Sequence, residues 1–99
     1  MAFENLVGLY VSDQKSYSAY REAMLPILTS MGGGFRYDIE VAQILKGEAD
    51  HPINRLFIIY FPDRQTKESF FANPDYLAIR KKFFEPAVQG VTRIAEYER

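Results

Sequence analysis

The sequence contains no cysteine, no tryptophan and a single histidine, His51. Without cysteine there is no disulfide, no thiolate nucleophile and no thiolate metal ligand. One histidine cannot build a multi-histidine metal centre, and no metal or other cofactor is expected. His51 sits in a loop before Pro52, where solvation is the simplest reading. A lone haem ligand, a general base or a substrate contact are the roles it could otherwise fill. Charge of one sign is also lacking. Twelve basic and thirteen acidic residues leave a net charge of −1, so there is no electrostatic footprint for nucleic acid. Long apolar runs are missing as well. The longest, LFIIYF at Leu56–Phe61, falls far short of the roughly 20 residues of a membrane span. The opening MAFENLVGLYV has no basic segment ahead of its apolar stretch, which Gly8 interrupts. A soluble, cytoplasmic protein with no membrane partner is expected.

What is present is apolar and aromatic material. Of 99 residues, 47% are hydrophobic and 15% aromatic, ample for one globular domain over residues 1–99. Glu4–Val11 is rich in apolar strand formers and reads as a strand. The period then changes: Tyr17, Tyr20, Met24, Ile27 or Leu28, and Met31 recur at steps of three and four, the stripe of an amphipathic helix. Ser12 or Asp13 can cap its start. Pro26 lacks the N–H that would bond to Glu22, so a kink or an early end is expected there. Alternation returns in GFRYDIEVAQIL, with Phe35, Tyr37, Ile39 and Val41 on one face and Arg36, Asp38 and Glu40 on the other. A loop, KGEADHPIN, leads to RLFIIYF, a strand apolar on both faces. A second helix begins after Asp63 and restarts at Asn73, with Pro74 in the first helical position and Asp75 at the positive end of the helix dipole. GVTRIAEYE closes as a strand.

The order β-α-β-β-α-β predicts an α+β, ferredoxin-like fold, a four-stranded antiparallel sheet with its first and third strands central and its helices on one face. The apolar surplus on Leu56–Phe61 and Glu4–Val11 then has no helix to cover it. A bare apolar sheet face usually marks an interface, so a homodimer joined through the sheet face is expected. The glycines of SMGGGF follow a helix and precede a strand, the reverse of a phosphate-binding loop. They face the negative end of the helix dipole and serve to stop the helix.

Three groups remain as candidates for chemistry. Arg36, Asp38 and Glu40 recur at steps of two on one strand face, as a charged edge or as a carboxylate raised by burial into general-base range. Seven tyrosines give any pocket a phenolic character. Tyr10 and Tyr60 fall on central strands, and Tyr17, Tyr20 and Tyr76 on helices. In RKK, Arg80–Lys82, only Arg80 shares a helix face with Tyr76 and Phe83 or Phe84. The segment reads either as a solvated basic helix end or as an anion contact made by Arg80.

FPDRQTKESFFANPDYLAIRKKF, together with Tyr17, Tyr20 and Pro26 followed by GGGF, resembles the domain-of-unknown-function 1330 family over nearly the whole chain. The resemblance implies a dimeric α/β barrel. Related barrels include cofactor-free monooxygenases, isomerases, haem-binding enzymes and ligand-sensing modules. YDIE stands here where members often carry Arg-Gly-Gly, which gives that strand a different charge. The expected function is binding of a small, partly apolar metabolite, with cofactor-free oxygenation or isomerisation if the protein is an enzyme. In that case Asp38 is the expected base and Tyr60 the donor to a developing oxyanion, with Tyr76, Arg80, Tyr20 and His51 contacting substrate. The alternative is a non-catalytic binding or assembly module.

Overall fold

The computed structural model describes residues 1–99. Its strands are β1 (Phe3–Val11), β2 (Gly34–Glu40), β3 (Arg55–Phe61) and β4 (Val88–Glu98), and its helices are α1 (Gln14–Ser30), α2 (Arg64–Ala72) and α3 (Pro74–Ile79). A π-helical turn, Arg80–Phe84, extends α3. The sheet is antiparallel throughout, in the order β2-β3-β1-β4. The expected α+β, ferredoxin-like arrangement is therefore the one adopted, with β1 and β3 central.

The caps act as their chemistry requires. Asp13 accepts from the Ser16 N–H and Asp63 from the Thr66 N–H, while Asn73 accepts from both Asp75 and Tyr76 N–H groups, with Pro74 opening α3. Helix α1 runs through Pro26 to Ser30 rather than ending early. Met24 and Leu28, buried on either side of the proline, keep the helix packed across the missing bond. The helix stops at the glycines. Gly32 takes φ +82° and donates to the Thr29 carbonyl, and Gly33 donates to the Leu28 carbonyl, which is a Schellman motif. A Cβ on Gly33 would lie 2.8 Å from the Tyr60 backbone oxygen, so only glycine lets β2 start this close to β3.

The core lies between the sheet and the helices. Val7, Leu9 and Val11 of β1 and Ile59 and Phe61 of β3 meet Tyr17, Tyr20, Met24 and Leu28 of α1, Phe70 of α2, Tyr76 of α3 and Phe84. No helix covers the opposite sheet face. Leu6, Leu56, Ile58, Tyr37 and Ile39 form a shallow apolar depression there, with Tyr37 62% exposed. One end of that face is occupied by the segment between β2 and β3, where Ile53 seats on Gly8 and His51 on Gly90. No helix is long and apolar enough to cross a membrane.

Strand β2 departs from simple alternation. Phe35 pairs with Ile59 and Tyr37 with Ile58, so Arg36 is an extra residue in a β-bulge. The bulge turns Phe35 towards the helices and Tyr37 and Ile39 towards the open face. It also separates Arg36 from Asp38, which the alternating pattern had placed together. Arg36 lies over the Tyr60 ring and bonds Glu4 on the open face, while Asp38 reaches α1 on the helix side.

Candidate functional site

Between the sheet floor and the helix roof lies a cavity of about 690 Å³, and thirteen of its eighteen lining residues are hydrophobic. That size and character are typical of sites for small organic molecules. Val7, Leu9, Phe57 and Ile59 line it from the central strands, and Tyr17, Tyr20, Met24, Tyr76 and Phe84 from the helical layer. Its opening is marked by Val91 and Arg93 of β4, both exposed, and by Glu68 and Ala72 of α2.

The polar residues of the lining are few. The Tyr20 and Tyr76 hydroxyls are 2.8 Å apart, and the Arg80 guanidinium donates to the Tyr76 hydroxyl at 3.2 Å. Tyr20 and Tyr76 are 5% and 1% exposed. The π turn explains the placement of Arg80. Its carbonyl accepts from the Glu85 N–H, five residues on, and its guanidinium stacks 4.4 Å from the Phe84 ring centroid. Arg80 has no carboxylate within ion-pair distance, whereas Lys67 and Arg93 both bridge to Glu96 at 3.2 Å. The Asn5 amide, oriented by its partners, donates to that same carboxylate at 2.9 Å. Burial holds the Tyr20 phenol far above its ordinary range, reinforced by Tyr76 beside it. Burial likewise pushes Tyr17 up to about 12, with Asp38 adding to the rise. These hydroxyls therefore stay protonated and act as donors, not as bases.

Of the six residues given a role in catalysis or substrate contact from the sequence, Tyr20, Tyr76 and Arg80 meet in this cavity. The other three lie elsewhere. Asp38 is outside the lining, fixed by Arg21 from α1 (3.0 and 2.7 Å) and by Arg55 from β3 (2.7 and 2.9 Å). Partial burial alone would raise its carboxyl. The hydrogen bonds from Arg55 and Arg21 outweigh that and hold it below the usual aspartate range. An acid so clamped is a poor proton acceptor. Tyr60 is on the open face beneath Arg36, so the sheet separates it from the cavity. His51 lies on the same face, where Nδ1 donates to the Pro52 carbonyl and Nε2 is hydrogen-bonded with the Thr92 hydroxyl, both at 2.7 Å.

A second clamped carboxylate, Glu4, lies on the open face, closed off from solvent by its partners yet close to the surface. Desolvation would raise it, but Arg36 (2.8 Å) and the Tyr97 hydroxyl (2.9 Å) bond it, with Arg99 nearby, and together they lower it. Both carboxyls titrate lower folded than unfolded. Their contribution to stability is thus complete above the unfolded values and is lost as pH falls through the folded ones. Urea midpoints should be flat from neutral pH down to about 5, then drop below about 4. In Asp38→Asn the neutral-pH midpoint should be lower and the acid drop shallower. An unchanged acid limb would show that Asp38 is not among the groups responsible.

The chain matches no curated protein. Its fold is shared with solved structures of low sequence identity. A protein of unknown function from Rhodopseudomonas palustris, RPA0582, superposes with a TM-score of 0.82 at 18% identity, covering 99% of this chain and 82% of that one. A putative antibiotic biosynthesis monooxygenase from Nitrosomonas europaea gives 0.65 at 15% identity, with 99% and 89% covered. A dimeric protein of unknown function with a ferredoxin-like fold from Bacteroides fragilis gives 0.64 at 14% identity, with 99% and 96% covered. The family described as "Domain of unknown function (DUF1330)" matches residues 6–96, nearly the whole length, and the chain belongs to it.

Proposed function

We propose that this protein binds a small, partly apolar metabolite in the cavity between sheet and helices, as a homodimer joined through the open sheet face. The observation that carries the first part is the cavity itself: a largely apolar, half-open pocket with Tyr20, Tyr76 and Arg80, which has no carboxylate partner, in its lining. The dimer is supported by the uncovered apolar face around Leu6, Ile58 and Tyr37, and by a neighbour of the same fold that is itself dimeric.

A binding role fits these side chains better than proton abstraction. Asp38 is clamped outside the cavity, Tyr17 and Tyr20 hold their protons, and Glu68, the one carboxylate of the lining, is exposed. A monooxygenase-like reading rests on the Nitrosomonas europaea neighbour, which shares the fold alone. Native mass spectrometry of the purified protein tests both parts. A dimer that retains a reproducible small-molecule mass, lost in Tyr76→Trp, supports the proposal. A monomer sinks the assembly, and an adduct unaffected by filling the cavity sinks the site.

A further inference from the structure

The hydrogen-bonding groups of the cavity narrow the chemistry of its ligand, given the binding role just proposed. The Tyr20–Tyr76 pair carries two hydroxyl protons, and the single bond between the two oxygens uses one of them. The Tyr76 oxygen also accepts from Arg80, and neither hydroxyl has any other protein partner. Whichever way the pair is oriented, one buried O–H is left with no protein acceptor.

Arg80 adds to this surplus. Its NH1 bond to Tyr76 is its one side-chain hydrogen bond, and no carboxylate pairs with it. The tyrosine–arginine group therefore offers donors and one net positive charge. A ligand that answers it presents acceptors and one negative charge. The count of charges argues against a phosphate dianion: Arg80, Lys67 and Arg93 bring three positive charges, and Glu96, shared by Lys67 and Arg93, together with Glu68 of the lining offsets two of them. We infer that the ligand is a monocarboxylate whose oxygens are held by Arg80 and the spare tyrosine hydroxyl, with its apolar body against Leu9, Phe57 and Phe84.

The test uses matched probes, phenylpropanoate and its neutral isostere phenylpropanamide, titrated at neutral pH into the isotopically labelled full chain and followed by amide NMR shifts. Charge-assisted hydrogen bonds should make the carboxylate bind at least about tenfold more tightly than the amide. In Arg80→Gln that preference should vanish. Tyr20→Phe combined with Tyr76→Phe should narrow the preference, because neither hydroxyl of the pair then remains to supply the spare donor. The wild-type comparison needs no variant to be decisive. Equal affinities, with shifts at Leu9, Phe57 and Phe84, overturn the carboxylate and leave the cavity as a binding site. Shifts confined to other surfaces, or none for either probe up to about 10 mM, overturn the site and the carboxylate together.

Discussion

Ile58→Arg should convert the protein from a dimer to a folded monomer. Ile58 lies on β3 at the middle of the open face, opposite Leu6 of β1 and Tyr37 of β2. It takes no part in the core between sheet and helices, so its replacement leaves the tertiary packing intact. In a two-fold assembly the substitution occurs twice, placing two unpaired guanidinium groups in the contact. Burying a charge without a partner costs several kcal/mol, and the dissociation constant should rise by about a thousandfold or more. Light scattering at about 10 μM would then report a dimer for the wild type and a monomer for the variant. A wild-type monomer, or a variant that stays dimeric, would refute assembly through this face. The acid-sensitive Glu4 cluster, with Arg36, Tyr97 and Arg99, borders the same face. Dimer stability and acid stability should therefore fall together below about pH 4.

The open face was legible in the sequence because it follows from counting. A strand such as RLFIIYF, apolar on both sides, needs two partners, and the element order supplies helices for only one. Caps and the glycine stop were legible for the same reason: an Asp, Asn or Gly acts on backbone groups within a few residues of itself. The extra residue at Arg36 was not. Alternation predicts one face for Arg36, Asp38 and Glu40, and what defeats it is tertiary. Asp38 meets Arg21 across seventeen residues of sequence and Arg55 across another seventeen, and the bulge is the register that permits both bonds while Arg36 reaches Glu4. Once Asp38 is placed there, its candidacy as a base disappears with it.

Tyr20, Tyr76 and Arg80 were nameable individually, as aromatic and basic residues on helix faces. Their convergence depends on α3 leaning on α1, a packing angle that no local pattern encodes. The π turn is the clearest instance. RKKFF reads as an ordinary basic helix end, yet the widened turn sets Arg80 over Phe84 and into the cavity wall. Such insertions in a helix occur often at functional sites, which agrees with the weight the binding proposal gives to Arg80.

Phe70→Ala should come close to unfolding the protein and, in whatever remains folded, should dismantle the cavity roof. The Phe70 ring is fully buried, with ring centroids 4.4 Å from Tyr76, 5.1 Å from Phe71 and 5.7 Å from Phe61. With Phe71, whose ring lies 5.7 Å from Phe61 and 5.5 Å from Tyr76, it links α2 and β3 to α3. Removing a buried phenylalanine costs about 3–5 kcal/mol, through lost transfer energy and the void left behind. Small domains have only about 5–15 kcal/mol of stability in total. The urea midpoint should fall by about half, with the slope of the transition unchanged if unfolding stays two-state. Phe70→Leu should lose only about 1–2 kcal/mol, because most of the volume is kept. That milder variant separates stability from function. Tyr76 stacks on Phe70 and carries the hydroxyl bonded by Tyr20 and Arg80, so a looser seat at position 70 should weaken phenylpropanoate more than phenylpropanamide. Equal weakening of the two probes would mean that Phe70 shapes the cavity without positioning its polar end. A loss below about 1 kcal/mol in Phe70→Ala would mean that the roof is not held by this ring at all.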